Sequence, residues 1–232
     1  RINAIGWVLR DNADPSGARP LVAYWGGLTA VDEAPHGVVS LTFDDGYDEH
    51  HQIAAPALAR HSFRGTAYVM PDQIGEPGYM TLEQVRGLRD RFGWDVAAHH
   101  FTPFTDFPPA ELEAVMRRTR AWLEAHVPGP GARHLAYPLG KQDPITVVPL
   151  TRRFFDTARL ASAAPETFPP GDAYRLRAMN VTKDTKPDEI RAAVRRAREH
   201  REWLILMFHW LVEQPEWITQ YAIGDFERVL QA

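Results

Sequence analysis

The chain has 232 residues, 44% of them apolar and 24% charged, with a formal net charge of −4. That length suits one α/β domain, and the balance excludes a disordered chain. No basic excess points to nucleic acid or an anionic membrane as partner, no apolar run reaches the roughly 18 residues of a membrane span, and the lack of cysteine removes disulfides, thiolate metal sites and cysteine nucleophiles.

Residues 1–37 read apart from the rest. Residues 2–9 and 21–25 read as strands around the turn-forming stretch 11–17, which predicts a β-hairpin, the end of a preceding β-domain, with 32–37 as linker. From Val38 to the C-terminus, short apolar runs alternate with helical patterns. Strands are expected over 38–43, 65–70, 94–98, 134–137, 157–161 and 203–208. Helices are expected over 51–61, where Pro56 could kink the axis, from the capping-box sequence Thr81-Leu82-Glu83-Gln84, over about 109–127, from Pro187-Asp188-Glu189, and after a cap at Asp225. Arg117, Arg118 and Arg120, like Arg191, Arg195, Arg196 and Arg198, fall on solvated helix faces. Alternating units with fully apolar strands imply a parallel sheet buried on both faces, and residues 38–232 suit a barrel.

In a barrel, polar residues at the carboxyl ends of strands are the first suspects for chemistry. Asp44-Asp45-Gly46 ends the first strand; two adjacent carboxylates repel unless a cation relieves one of them, and Gly46 permits a tight turn. A plain Asx turn would use the same residues. His99 and His100 end the strand over 94–98, and neutral imidazole is a common metal ligand. His209 ends the strand over 203–208, where an imidazole could serve as a general acid. Ala136-Tyr137-Pro138-Leu139-Gly140 ends a further strand in a loop whose backbone N–H could face a substrate oxygen. Each signal has a structural explanation; together, in barrel order, they read as an active site.

The motifs Thr42-Phe43-Asp44-Asp45-Gly46, Ala136-Tyr137-Pro138-Leu139-Gly140 and Leu206-Met207-Phe208-His209 resemble those of the polysaccharide deacetylases (carbohydrate esterase family four, the NodB-like domain). The resemblance implies a distorted (β/α) barrel with about seven parallel strands. It further implies Asp44 as catalytic base, Asp45 and His99 as ligands of a divalent metal (zinc first, with nickel, cobalt or manganese as alternatives), His209 as general acid, and the Leu139 N–H in an oxyanion hole. Two positions depart from the family pattern. The second metal histidine is missing: Pro103 and Phe104 stand in its place, leaving Asp106 or His100 as substitutes. Ala136 stands where an arginine usually orients the catalytic aspartate, and Arg177, then Arg175, are the candidates to replace it. Tyr137, Trp210, Phe101 and Phe104 could cover the apolar face of a sugar ring, or could pack in the core.

The expected function is a metal-dependent deacetylase acting on an N-acetylated or O-acetylated cell-envelope glycan, within a larger extracellular, cell-wall-associated or virion-associated protein. The alternatives are a glycan-binding module on the same fold that has lost its chemistry, and a deacylase for a small molecule.

Overall fold

A computed structural model describes residues 35–162 and 164–231. Most of the hairpin and linker expected over 1–37 lies outside the described residues.

Seven strands form one parallel sheet: β1 (Val38–Phe43), β2 (Thr66–Val69), β3 (Asp95–Ala98), β4 (His134–Ala136), β5 (Thr157–Arg159), β6 (Met179–Asn180) and β7 (Trp203–Phe208). Their order is β5-β4-β3-β2-β1-β7-β6, and every pair is parallel. The two edge strands do not pair with each other; the segment leading into β6 bridges them. Leu176 lies beside Arg159 in parallel, accepting the Leu160 N–H at 2.7 Å and donating to the Ala158 carbonyl at 3.0 Å. The sheet curls in this way into a distorted (β/α) barrel.

The helices cover its outer face. A π-helical turn (His50–Ala54) runs into α1 (Ala55–Arg60), which carries Pro56 in its first turn, where the missing N–H is harmless. There follow α2 (Leu82–Asp90), α3 (Pro109–His126), α4 (Val147–Phe154), α5 (Pro187–His200) and α6 (Ile223–Leu230). The capping box at α2 forms as its sequence predicts: Thr81 Oγ1 accepts the Gln84 N–H at 3.2 Å, and the Gln84 side chain accepts the Thr81 N–H at 2.7 Å. Asp225, expected to cap the last helix, lies inside its first turn and pairs with Arg228. Beyond β7, β8 (Trp210–Val212) and β9 (Gln220–Ala222) form a separate parallel pair.

Side chains alternate across the sheet, as the two-residue period of a strand requires. Ala67, Val69, Val96, Ala98, Leu135, Leu204, Leu206 and Phe208 join the helices in one core cluster. The intervening residues Tyr68, Ala97 and Ala136 form a second cluster, and Ala178, Ile205 and Met207 belong to a third with Leu176. These inner-face clusters are rich in alanine, and that small-residue lining leaves room for one long side chain.

Candidate active site

The room is taken by Arg159. Its side chain, 2% exposed, bonds the Asp44 carboxylate, also buried, and lies over the Tyr68 ring with its guanidinium carbon 4.7 Å from the centroid. It also donates to the Leu160 carbonyl at 3.1 Å and to the Met207 sulfur at 2.7 Å. Burial alone would lower the guanidinium pKa, but the Asp44 charge and the Tyr68 contact outweigh it and hold it above its ordinary value. The arginine expected beside Asp44, Arg177, is bound instead to Glu166 at 2.8 Å, and Arg175 is exposed. The reason is register: Ala136 and Arg159 are partners on adjacent strands β4 and β5. The guanidinium missing at 136 therefore enters from the matching position one strand over, across an alanine small enough to let it pass.

Asp45 faces the other way. Its φ of 75° and that of Gly46, 87°, put two successive residues in the left-handed region, so the chain leaves β1 in a tight turn and the second carboxylate swings out toward β3. There it meets His99, whose Nε2 is 3.3 Å from Asp45 Oδ1. His99 Nδ1 lies 2.8 Å from the Ala136 carbonyl, which can only accept, so Nδ1 carries a proton. In the neutral ring Nε2 then presents a bare lone pair to a carboxylate, an arrangement that calls for a proton or a metal cation between the two. For His99, burial acts downward, but the Asp45 hydrogen bond and the charges of Asp44 and Asp45 hold the imidazole above its ordinary pKa. For Asp45, burial acts upward, but His99, and behind it His209 and His50, hold the carboxyl below its ordinary range.

Two donors of the implied metal site thus come together; a third does not. Among the described residues no group of three His, Cys, Asp or Glu side chains could hold a metal ion. Asp106 sits exposed in a short 3-10 turn (Phe104–Asp106), where Thr105 donates to it at 3.1 Å. His100 turns aside: its Nδ1 accepts the Thr102 N–H at 3.0 Å, and its ring packs near Phe104 and Phe107. Neither replaces the missing histidine, because the strand pleat and the short turn carry both away from Asp45. Among the described residues Asp45 and His99 therefore stand as two donors side by side, without a third.

His209 lies at the end of β7, half-buried, with its Nδ1 enclosed and without a hydrogen-bond partner. Its carbonyl accepts from His50 Nε2 at 2.7 Å. His50 is fully buried, and desolvation pushes its imidazole down to about 4, so it stands neutral and donates that one hydrogen. Next to it, Glu49 accepts the Trp210 indole N–H, and burial pushes the Glu49 carboxyl up to about 7. The turn after β1 therefore holds the His209–Trp210 segment at two points. Nothing in the sequence singled out Arg159, His50 or Glu49. An arginine inside a short apolar strand was the one signal available.

The remaining expected residues divide. Leu139 has a left-handed φ of 54° in the turn closed by the Gly140 N–H to the Tyr137 carbonyl at 2.9 Å, and its side chain is turned out to solvent. Trp210 stacks parallel on Tyr47, with ring centroids 4.7 Å apart, and Tyr47 lies against Asp45. Burial, then the Asp45 charge, raises the Tyr47 phenol pKa. Phe101 is exposed, whereas Tyr137 and Phe104 are buried in the core cluster and are not free to cover a sugar.

The sequence pattern of the polysaccharide deacetylases matches residues 32–152, just over half of the chain. The curated protein YxkH of Bacillus subtilis (strain 168) is 29% identical over 72 residues, covering 31% of this chain and 25% of that protein, so the match spans a quarter of the relative's length. Among solved structures, a family 4 carbohydrate esterase from Streptomyces lividans in complex with acetate has a TM-score of 0.57 at 19% identity, over 84% of this chain and 86% of that one. The Streptococcus pyogenes deacetylase PplD in complex with acetate has a TM-score of 0.55 at 20% identity, over 61% and 65% of the two chains. At such identities these structures speak for the shared fold. With the Asp-Asp-Gly turn opening the barrel and the family pattern running through it, the chain belongs to the polysaccharide deacetylase family, whose members are hydrolases.

Proposed function

We propose that the chain hydrolyses acetyl groups from N-acetylated, or O-acetylated, sugars of a cell-envelope polysaccharide. The observation that carries this reading is the pairing of two carboxylates from one turn with two different partners: Asp44 with buried Arg159, and Asp45 with His99. The first pair fixes a base, and the second marks where a cation or the substrate's polar group is held.

Arg159 holds the Asp44 carboxylate in one orientation, from which it takes the proton of a water attacking the acetyl carbon. The Leu139 N–H, in its left-handed turn, donates to the carbonyl oxygen as that oxygen gains charge. His209, held through its backbone by His50, gives a proton to the leaving amine or alcohol. The C–N or C–O bond breaks, and acetate and the free sugar group depart. A divalent cation, zinc first and nickel, cobalt or manganese after it, would be held by Asp45 and His99 and would supply polarisation of the acetyl carbonyl and a more acidic water. An envelope substrate puts the enzyme outside the cytoplasm, within a larger protein that is secreted, wall-bound or carried on a virion. Fractionation that finds it only in the cytosol would overturn that placement.

The test is elemental analysis of the purified protein, with acetate release from N-acetylglucosamine oligomers and acetylated xylo-oligosaccharides after metal add-back. Release that is lost in Asp44→Asn and Asp45→Ala supports the reading. A folded protein that releases no acetate with zinc, nickel, cobalt or manganese sinks it. The lack of a third donor among the described residues favours a second reading, a glycan-binding module without turnover, and that outcome together with measurable glycan binding would establish it.

A further inference from the structure

A cleft runs between helix α3 and the 3-10 turn that follows β2 (Pro71–Gln73). It has two lobes, of about 160 and 140 Å³, which share Pro71, Asp72 and His100. The first lobe is walled on the α3 side by Val115, Arg118, Thr119 and Trp122. The second is lined by Met70, Gln73, Phe101 and Thr102. Met70 and His100 each stand one residue beyond a strand end, and the Val69 carbonyl accepts the His99 N–H at 2.9 Å. The cleft therefore abuts the carboxyl ends of β2 and β3, next to the donor His99.

Two unpaired charges face this space. On α3, Arg117 pairs with Glu113 at 2.7 Å and Arg120 with Glu124 at 2.6 Å. Arg118, between them, has no acidic partner among the described residues, and Asp72 has no basic one. The two come from opposite walls, and both charges reach the His100 ring: Asp72 favours its protonated form and Arg118 opposes it. His100 Nδ1 accepts the Thr102 N–H at 3.0 Å, so the neutral ring carries its hydrogen on Nε2. Val115, Trp122 and Met70 supply apolar surface around these polar groups.

A fixed cation and a fixed anion on opposite walls select against most ligands. A simple anion would meet Asp72, a simple cation would meet Arg118, and a neutral sugar would leave both charges without a partner. A molecule that carries an ammonium and a carboxylate a few bonds apart satisfies both at once. The lobes together come to the lower end of small-ligand sites, about 300 Å³, which suits an amino acid or a dipeptide.

We infer that this cleft is a second binding site, for a small zwitterion: an amino acid or dipeptide whose carboxylate sits at Arg118 and whose ammonium sits at Asp72. Two sources carry that chemistry, a free amino acid and a peptide borne by the envelope glycan. Only the second rests on the deacetylase reading, since the site itself is read in binding without turnover.

The experiment is calorimetric titration of the full chain with alanine, serine and alanylalanine, each beside its carboxyl amide and its N-acetyl form. Wild type, Arg118→Met, Asp72→Asn and a control, Arg117→Met, whose partner is Glu113, are compared. Arg118 and Asp72 are exposed and have no ion pair to lose, so both variants should match the wild type in urea unfolding. The wild type is expected to bind the free zwitterions, and each substitution in the cleft to weaken them by roughly tenfold or more, the worth of a charge-assisted hydrogen bond. Arg117→Met leaves binding unchanged. The amides should lose nothing further in Arg118→Met, nor the N-acetyl forms in Asp72→Asn, because ligand and protein changes then remove the same contact. A muramyl tripeptide ending in lysine separates the sources: tighter binding than lysine alone shows a glycan-borne peptide, and equal binding a free ligand. A wild type that binds none of these zwitterions, or Arg118→Met and Asp72→Asn variants that bind as the wild type does, overturns the inference.

Discussion

Arg159 with Asp44 inside the barrel, and Arg177 with Glu166 at its rim, both pair an arginine with a buried carboxylate, but only the second arginine reaches solvent. Inside, both side chains are almost wholly buried; at the rim, the Arg177 side chain is 42% exposed. In the interior no water can replace a lost partner, so the pair defines the site's geometry. At the rim only the arginine reaches water; Glu166 is itself buried, but it also accepts the Arg177 backbone N–H at 2.7 Å, so loss of the guanidinium is softened. What sorts the two arginines is their place across the sheet: Arg159 stands level with Ala136 and opens into an alanine-lined space, while Arg177 precedes β6 and reaches the strap containing Glu166.

Removing the interior arginine is the strongest way to break this contrast. Arg159→Leu leaves a buried carboxylate alone and is expected to cost about 3–5 kcal/mol in urea unfolding and to abolish acetate release. A cost under about 1 kcal/mol would mean that water takes the place of the guanidinium at Asp44. The comparison sharpens if Ala136→Arg is added to Arg159→Ala, since the register partner should restore part of both stability and turnover.

The next effect is on pH dependence. His50 is lowered from 6.5 to about 4 by burial, so the unfolded chain takes up a proton more readily than the folded one. Its contribution to stability is complete above 6.5 and is lost as pH falls toward 4, by about 3 kcal/mol. His50→Phe should flatten that acid limb, as read from urea midpoints across pH 4–7; an unchanged difference between the two proteins would mean that the ring is hydrated in solution. Arg177→Met at the rim should cost only about 1 kcal/mol and leave acetate release intact. The smallest effect is expected of Asp106→Ala, with metal content and acetate release both unchanged; a fall in bound metal would show that the β3–α3 loop closes onto Asp45 after all.

These residues also mark how far the sequence is legible. β1 and β7 read plainly because parallel strands buried on both faces are apolar throughout, and α2 because its capping box is local. The strand-end positions of Asp44 and His209 follow from those strands, and that of His99 from β3. Arg159 was out of reach because its role depends on how β4 and β5 align, a tertiary fact with no local signature. His50 and His51 look alike in sequence, and the phase of the π-helical turn alone buries the first and leaves the second half-exposed. Spacing suggested Asp106 as a ligand, but spacing does not carry the direction in which a turn points its side chain. The β8–β9 pair and α4 were missed as well: the first follows β7 with one residue between, and the second carries Pro149 inside.

The join between β5 and Leu176 has a consequence for motion. Around Arg159 the barrel is closed by a few backbone hydrogen bonds to a connecting segment, whereas β1 is flanked by β2 and β7. Local opening is easiest where cooperative pairing is thinnest. Amide protons of Ala158, Leu160 and Leu176 should therefore exchange with deuterium ahead of those in β1 and β7. Each such excursion would loosen the strand that carries the Asp44 partner, so the breathing of this seam and the orientation of the Asp44 carboxylate would share one rate.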